Sequence, residues 1–136
     1  MKREIKFRVW DHNTDTMMIP DNFEFYDGKI GWIDASREAG PGSGNDGYPD
    51  QFEIMQYTNL KDNNGREIYE GDVVRTGKDN IGDPEPMIGQ VIMQEGSWLI
   101  ENEKKQEAID LFSEITSREV IGNIFENPEL LEAQHD

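Results

Sequence analysis

Through most of this chain apolar residues recur at every second position, in short runs that turn residues soon interrupt. Period two is the spacing of a strand that turns one face inward, so the pattern points to short antiparallel strands. The clearest case is 22–33. Phe23 and Phe25 alternate on one arm, Ile30 and Trp32 stand on the other, and Asp27-Gly28 lies between them. A two-residue hairpin loop needs central residues that tolerate positive φ, and Asp-Gly supplies them.

The same logic extends in both directions. Ile5, Phe7 and Val9 alternate with Lys6, Arg8 and Trp10, a polar cluster follows at 11–16, and Met17 to Ile19 returns. Pro20 is expected to stop that strand. Phe52, Ile54 and Gln56 mark another strand, with Met55 and Tyr57 on its opposite face. Asp62-Asn63-Asn64-Gly65 is a turn by its chemistry, 67–69 a short extended piece, and Glu70-Gly71-Asp72 a turn into Val73-Val74-Arg75. A third hairpin joins 87–94 to 97–100 across Glu95-Gly96.

Two stretches read as loops. Residues 35–50 carry four glycines and two prolines and offer little burial to offset the entropy of ordering, so a mobile loop is expected. Its glycines lack the Gly-Lys-Ser/Thr of a phosphate-binding loop, and no helix follows. Residues 76–86 are again rich in Gly, Asp and Pro.

The period changes at 103–115. Ala108, Leu111, Phe112 and Ile115 fall at i, i+3, i+4 and i+7, which predicts one helix of about three turns with Asn102 as its N-cap. Strand spacing returns over 118–125, where Gly122-Asn123 signals a bulge. Asn127-Pro128-Glu129 then starts a helical turn seated by Leu130 and Leu131. The expectation is a mainly β protein in two parts. Residues 1–53 form an N-terminal β-hairpin module, and 54–136 form a C-terminal SH3-like β module with one short helix and the terminal helical turn.

Hydrophobic residues make up 35% of the 136, so the thirteen aromatics must supply much of the core. The formal net charge is −16, which repels phosphate and disfavours nucleic acid and anionic membranes as direct ligands. It suits a solvated surface or a basic protein partner. The chain has no cysteine, which excludes disulfides, thiolate zinc sites and cysteine nucleophiles. No signal peptide or membrane span is expected, and the chain reads as cytoplasmic.

Three blocks resemble the YopX family of phage and prophage proteins. They are 3–11 (REIKFRVWD), 56–74 (QYTNLKDNNGREIYEGDVV) and 120–131 (VIGNIFENPELL), in the family's order. Asn59 stands where the family more often has glycine, and Val9 where it often has alanine. The resemblance implies a phage or prophage gene product in the host cytoplasm, with self-assembly; it implies no reaction.

The chemical constellations are weak. Asp11 to Asp15 begins like a calcium loop but has Thr16 at the glycine position and Asn22 at the position of the bidentate glutamate. With His12 on a turn and His135 at the end, neither a transition-metal site nor a Ser-His-Asp triad is expected. Glu67 and Glu70 bracket Ile68 and Tyr69, lie beside turns and read as solvated carboxylates. Trp10, Trp32, Trp98, Tyr57 and Tyr69 could stack bases, but such platforms sit in basic grooves. Direct nucleic-acid binding through the barrel would need Arg3, Lys6 and Arg8, or Arg66, Arg75 and Lys78, to cluster. The expectation is therefore no enzyme, no cofactor and no metal, but a self-associating interaction module whose candidate contact residues are Tyr57, Leu60, Tyr69 and Trp98. An acidic DNA mimic is the alternative.

Overall fold

A computed structural model describes residues 3–36, 45–77, 87–111 and 117–132. The chain forms two compact units, Ile5–Gln56 and Tyr57–Asp136, the latter joined by Met1–Glu4. The division falls between residues 56 and 57, inside a strand, where 53/54 was expected.

In the N-terminal unit the alternating runs become β1 (Phe7–Asp11), β2 (Thr16–Tyr26), β3 (Lys29–Ser36), β4 (Asn45–Gly47) and the first half of β5 (Phe52–Lys61). All pairings are antiparallel, in the order β4-β3-β2-β1-β5. The Asp27-Gly28 turn has φ of 53° and 78°, as a type I′ loop requires. Val9, Met18, Ile33, Ala35 and Phe52 form the core, with Phe23, Ile30 and Ile54 packed against it.

Two expectations for this unit change. Pro20 does not stop a strand: β2 runs through it, with a register shift between Pro20 and Asn22. A bulge is where a strand accommodates a residue without an N–H. The 35–50 stretch is partly ordered. Ala35 is buried in β3, Asn45–Gly47 pairs with β3, and Pro49–Gln51 makes a 3-10 turn. Backbone pairing supplies the order that the side chains could not. Residues 37–44 lie outside the described residues.

The C-terminal unit holds the rest of β5 with β6 (Glu67–Tyr69), β7 (Asp72–Thr76), β8 (Ile88–Gln94), β9 (Ser97–Asn102), β10 (Glu107–Asp110), β11 (Arg118–Asn123) and a four-residue helix, α1 (Glu129–Glu132). Five of its strands pair antiparallel in the order β10-β9-β8-β7-β11. Together with β6 they make a small barrel-like arrangement around Ile68, Val74, Met87, Val91, Trp98, Ile100, Leu111 and Val120. The predicted bulge in β11 lies between Val120 and Gly122.

The helix expected over 103–115 is absent from the described part of that stretch. Glu103–Gln106 is a turn and Glu107–Asp110 a strand paired with β9. Asn102 does cap: its Oδ1 accepts from Lys105 N at 2.9 Å. The cap serves a single turn, because Gln106 takes φ 53° and reverses the chain into β10. Strand pairing such as Ile109 with Ile100 then overrides the helical spacing, and Ala108 is exposed. Phe112 and Ile115 lie outside the described residues. Among the described residues, no helix is long and apolar enough to cross a membrane.

Candidate functional site

The 56–74 block is wired inward. Asp62 is buried at 8% exposure, and its carboxylate accepts three backbone N–H groups: Asn64 at 2.9 Å and Arg66 at 2.8 Å on Oδ1, Val120 at 2.9 Å on Oδ2. Asn63 completes the link to β11, donating its N–H to Arg118 O at 3.0 Å and accepting Arg118 N on Oδ1 at 2.7 Å. Asp72, 1% exposed, closes the next turn by accepting Tyr69 N at 2.7 Å. Gly71 at φ 87° donates to Val91 O and accepts from Ile124 N, both at 2.9 Å. Asn123 accepts Phe125 N and Glu126 N on Oδ1. Short polar side chains in such loops replace missing backbone partners, and their burial is tolerable because each is satisfied.

Asn59 takes a left-handed backbone conformation. Its φ is 69°, a conformation that glycine adopts freely and asparagine better than most residues. Its side chain donates to Glu4 O and accepts Glu4 N, both at 2.9 Å, which ties residue 4 to β5.

The four candidate contact residues divide. Tyr57 and Trp98 are buried, at 4% and 8% exposure. Tyr69 is half-buried, its ring 5.4 Å from that of Tyr57 and tilted 41°. Leu60 packs against the core cluster that contains Trp98. Their apolar surface is thus largely spent inside the C-terminal unit.

The other constellations resolve similarly. Asp11 is fully buried, and its carboxylate accepts Asn13 N, Thr14 Oγ1 and Gln51 Nε2, all donors where a calcium loop would hold a cation. His12 is exposed, its Nε2 3.4 Å from Glu53 Oε2. Glu67 Oε1 lies 3.4 Å from the Tyr69 hydroxyl. Among the named basic residues, Arg75 pairs with Glu119 at 2.6 Å, and Lys78 lies outside the described residues.

What the alternation did not single out is the outer surface of the N-terminal unit. Ile5, Ile19, Phe25, Tyr26 and Tyr48 are exposed by 68%, 47%, 62%, 60% and 66%. Phe25 and Tyr26 are neighbours on one strand and therefore face opposite sides of the sheet. On the Tyr26 side, the Tyr48 ring meets Trp32 edge-on at 4.9 Å, and Trp32 Nε1 donates to Asp34 Oδ1 at 3.0 Å. The Tyr26 hydroxyl donates to Glu24 Oε1 at 2.8 Å. That bond, then the carboxylate's charge, raises the Tyr26 pKa above its ordinary 10.0. The signal was present in the sequence: two adjacent aromatics beside a tight turn cannot both face one core.

The C-terminal unit carries an open groove of about 430 Å³ lined by Glu101, Asn102, Glu103, Gln106, Glu107 and Ala108. Lys104 Nζ donates to Glu132 O at 3.2 Å beside it. Among the described residues, no three His, Asp or Glu side chains converge as metal ligands would.

Residues 6–132 match the family described as YopX protein. Among solved structures, protein EF1440 from Enterococcus faecalis is 25% identical, covering 96% of this chain and 99% of its own, with a TM-score of 0.61. Protein yopX from Bacillus subtilis is 20% identical, covering 91% of this chain and 95% of its own, also at 0.61; at that identity the likeness shows the fold alone. No curated protein matches the chain. The family match runs through both units and takes in most of all three sequence blocks, so this chain belongs to the YopX family.

Proposed function

We propose that the protein is a non-catalytic interaction module that self-associates, made from a phage or prophage gene and working in the host cytoplasm. One observation carries the reading: the N-terminal unit presents five exposed large apolar residues, Ile5, Ile19, Phe25, Tyr26 and Tyr48. Large apolar side chains that share an exposed face of a small unit supply the contact surface such a module needs. Phe25 and Ile5 suit a second copy, because an isologous contact needs a self-complementary apolar patch and little else.

Native mass by light scattering tests this. The wild type is expected to run as a discrete oligomer at micromolar concentration, and Phe25→Ser to fall toward monomer mass. Since Phe25 is 62% exposed, the variant should keep its folding stability within about 0.5 kcal/mol. A monomeric wild type at high concentration removes the reading.

A second reading, an acidic DNA mimic, draws on Glu101, Glu103 and Glu107 lining one groove. It requires those carboxylates to compete with DNA for a basic DNA-handling protein. Charge-neutral variants that compete equally well would exclude it.

A further inference from the structure

The face of the N-terminal sheet that carries Tyr26 has a charge arrangement that folding alone does not explain. Asp34 on β3 and Asp46 on β4 are directly opposed partners across two antiparallel strands. Like charges in that relation destabilise a sheet. Glu24 pairs with Trp32 on the neighbouring strand and lies on the same face. Asn22 reaches Asp34 Oδ2 only at 3.5 Å. Neither the His12–Glu53 nor the Arg75–Glu119 ion pair involves Glu24, Asp34 or Asp46. Lys29, exposed, pairs with Tyr26 at the hairpin end.

The aromatic groups on the same face fit a cation. Tyr48 and Tyr26 are mostly exposed, and Trp32 is half-buried with its indole N–H already given to Asp34. Ring faces carry negative quadrupole charge and attract guanidinium or ammonium groups, most strongly from Trp and Tyr. Carboxylates beside the rings add charge and hydrogen-bond acceptors, and a planar guanidinium can use both together. Gly31 keeps the Tyr26 ring against the sheet, since a Cβ at residue 31 would occupy the ring's place.

We propose that the Tyr26–Trp32–Tyr48 face, with Glu24, Asp34 and Asp46, docks an arginine-bearing extended segment of a basic partner protein. The choice of occupant follows from charge complementarity: a chain of net charge −16 offers rings together with the carboxylates of Glu24, Asp34 and Asp46 at this place. A cation there stabilises the Asp34–Asp46 opposition and covers the tyrosines at the same time. This inference rests on the interaction-module reading but uses the side of the sheet opposite Phe25.

The test is an NMR titration of the full chain with an unstructured peptide of alternating arginine and glycine. The Trp32 indole N–H resonance is the readout, and the same peptide with citrulline for arginine is the control. Saturable shifts of Trp32 that weaken about tenfold in Tyr48→Ser and in the double variant Asp34→Asn, Asp46→Asn are expected. Gly31→Ala, which displaces the Tyr26 ring while leaving an allowed backbone, should weaken binding in the same way. Unchanged resonances of Val9, Met18 and Phe52, in the core of the same unit, confirm that each variant is folded. Equal binding of the citrulline peptide, shifts spread over the acidic surface, or affinity unchanged in the variants overturns the proposal. Light scattering on the same samples separates the two readings. Loss of peptide binding with native mass intact supports this site, whereas oligomers that dissociate on Phe25→Ser but show no peptide binding leave only self-association standing.

Discussion

The two units use their side chains in opposite ways. In the C-terminal unit the residues that look chemically active, Asp62, Asp72 and Asn123, are buried and spend their oxygens on backbone N–H groups. In the N-terminal unit the residues that look like core, Phe25, Tyr26 and Tyr48, are exposed. The contrast follows from geometry. A barrel-like arrangement covers the inner face of each strand and leaves long connections whose backbone must be satisfied from within. A hairpin that ends beyond its core cannot cover both faces, so its aromatics meet solvent. The polar residues of the block by which this chain resembles its family thus hold its own loops together, and the exposed aromatics lie in the other unit.

The sharpest way to break that contrast is Asp62→Ala. It strands three N–H groups, one of them the buried Val120 N, and should cost about 3–5 kcal/mol in urea unfolding followed by the Trp98 indole. A variant as stable as the wild type would mean that Asp62 is available for another role.

Gly89→Ala comes next. A Cβ there would stand 2.6 Å from the Glu101 carbonyl oxygen, so β8 and β9 must separate, at roughly 1–3 kcal/mol. Hydrogen exchange should show the loss in those two strands first.

Smaller still, Asn59→Ala keeps φ at 69° without the side-chain bonds to Glu4 and should cost about 1–2 kcal/mol. Asn59→Gly gives up the same bonds but relieves the backbone, so it should fall between the wild type and the alanine variant on thermal melting.

The smallest effect concerns the outward face. The Tyr26 pKa is raised in the folded protein, so the hydroxyl holds its proton more firmly folded than unfolded. Its contribution to stability is complete below the ordinary tyrosine pKa and disappears as pH rises through the folded value. Glu24→Gln removes the carboxylate that causes the shift and should return the Tyr26 titration, read from its ring resonances, toward that of a free tyrosine.

Local chemistry was sufficient wherever neighbours in sequence decide the outcome. Asp27-Gly28 and Glu95-Gly96 announce turns because their φ values, all positive, are intrinsic to those residue types in two-residue loops. Gly122-Asn123 announced the β11 bulge for a similar reason. Asn102 announced a cap, but a cap starts a helix and a hairpin turn alike, and the spacing of Ala108, Leu111, Phe112 and Ile115 tipped the reading toward helix. The strand at 107–110 exists because β9 lies beside it, and no local preference records that neighbour.

The sequence by itself determined that this is a mainly β, cysteine-free, acidic member of its family with its hairpins in stated places, because period-two burial and turn chemistry act over a few residues. Only the tertiary structure decided that Tyr57 and Trp98 go inside, that Asp62 reaches Val120, and that Tyr26 and Tyr48 stay outside. Each of those outcomes depends on which face a distant strand covers. Coverage is a property of the assembled sheet, which alternation along one strand cannot express.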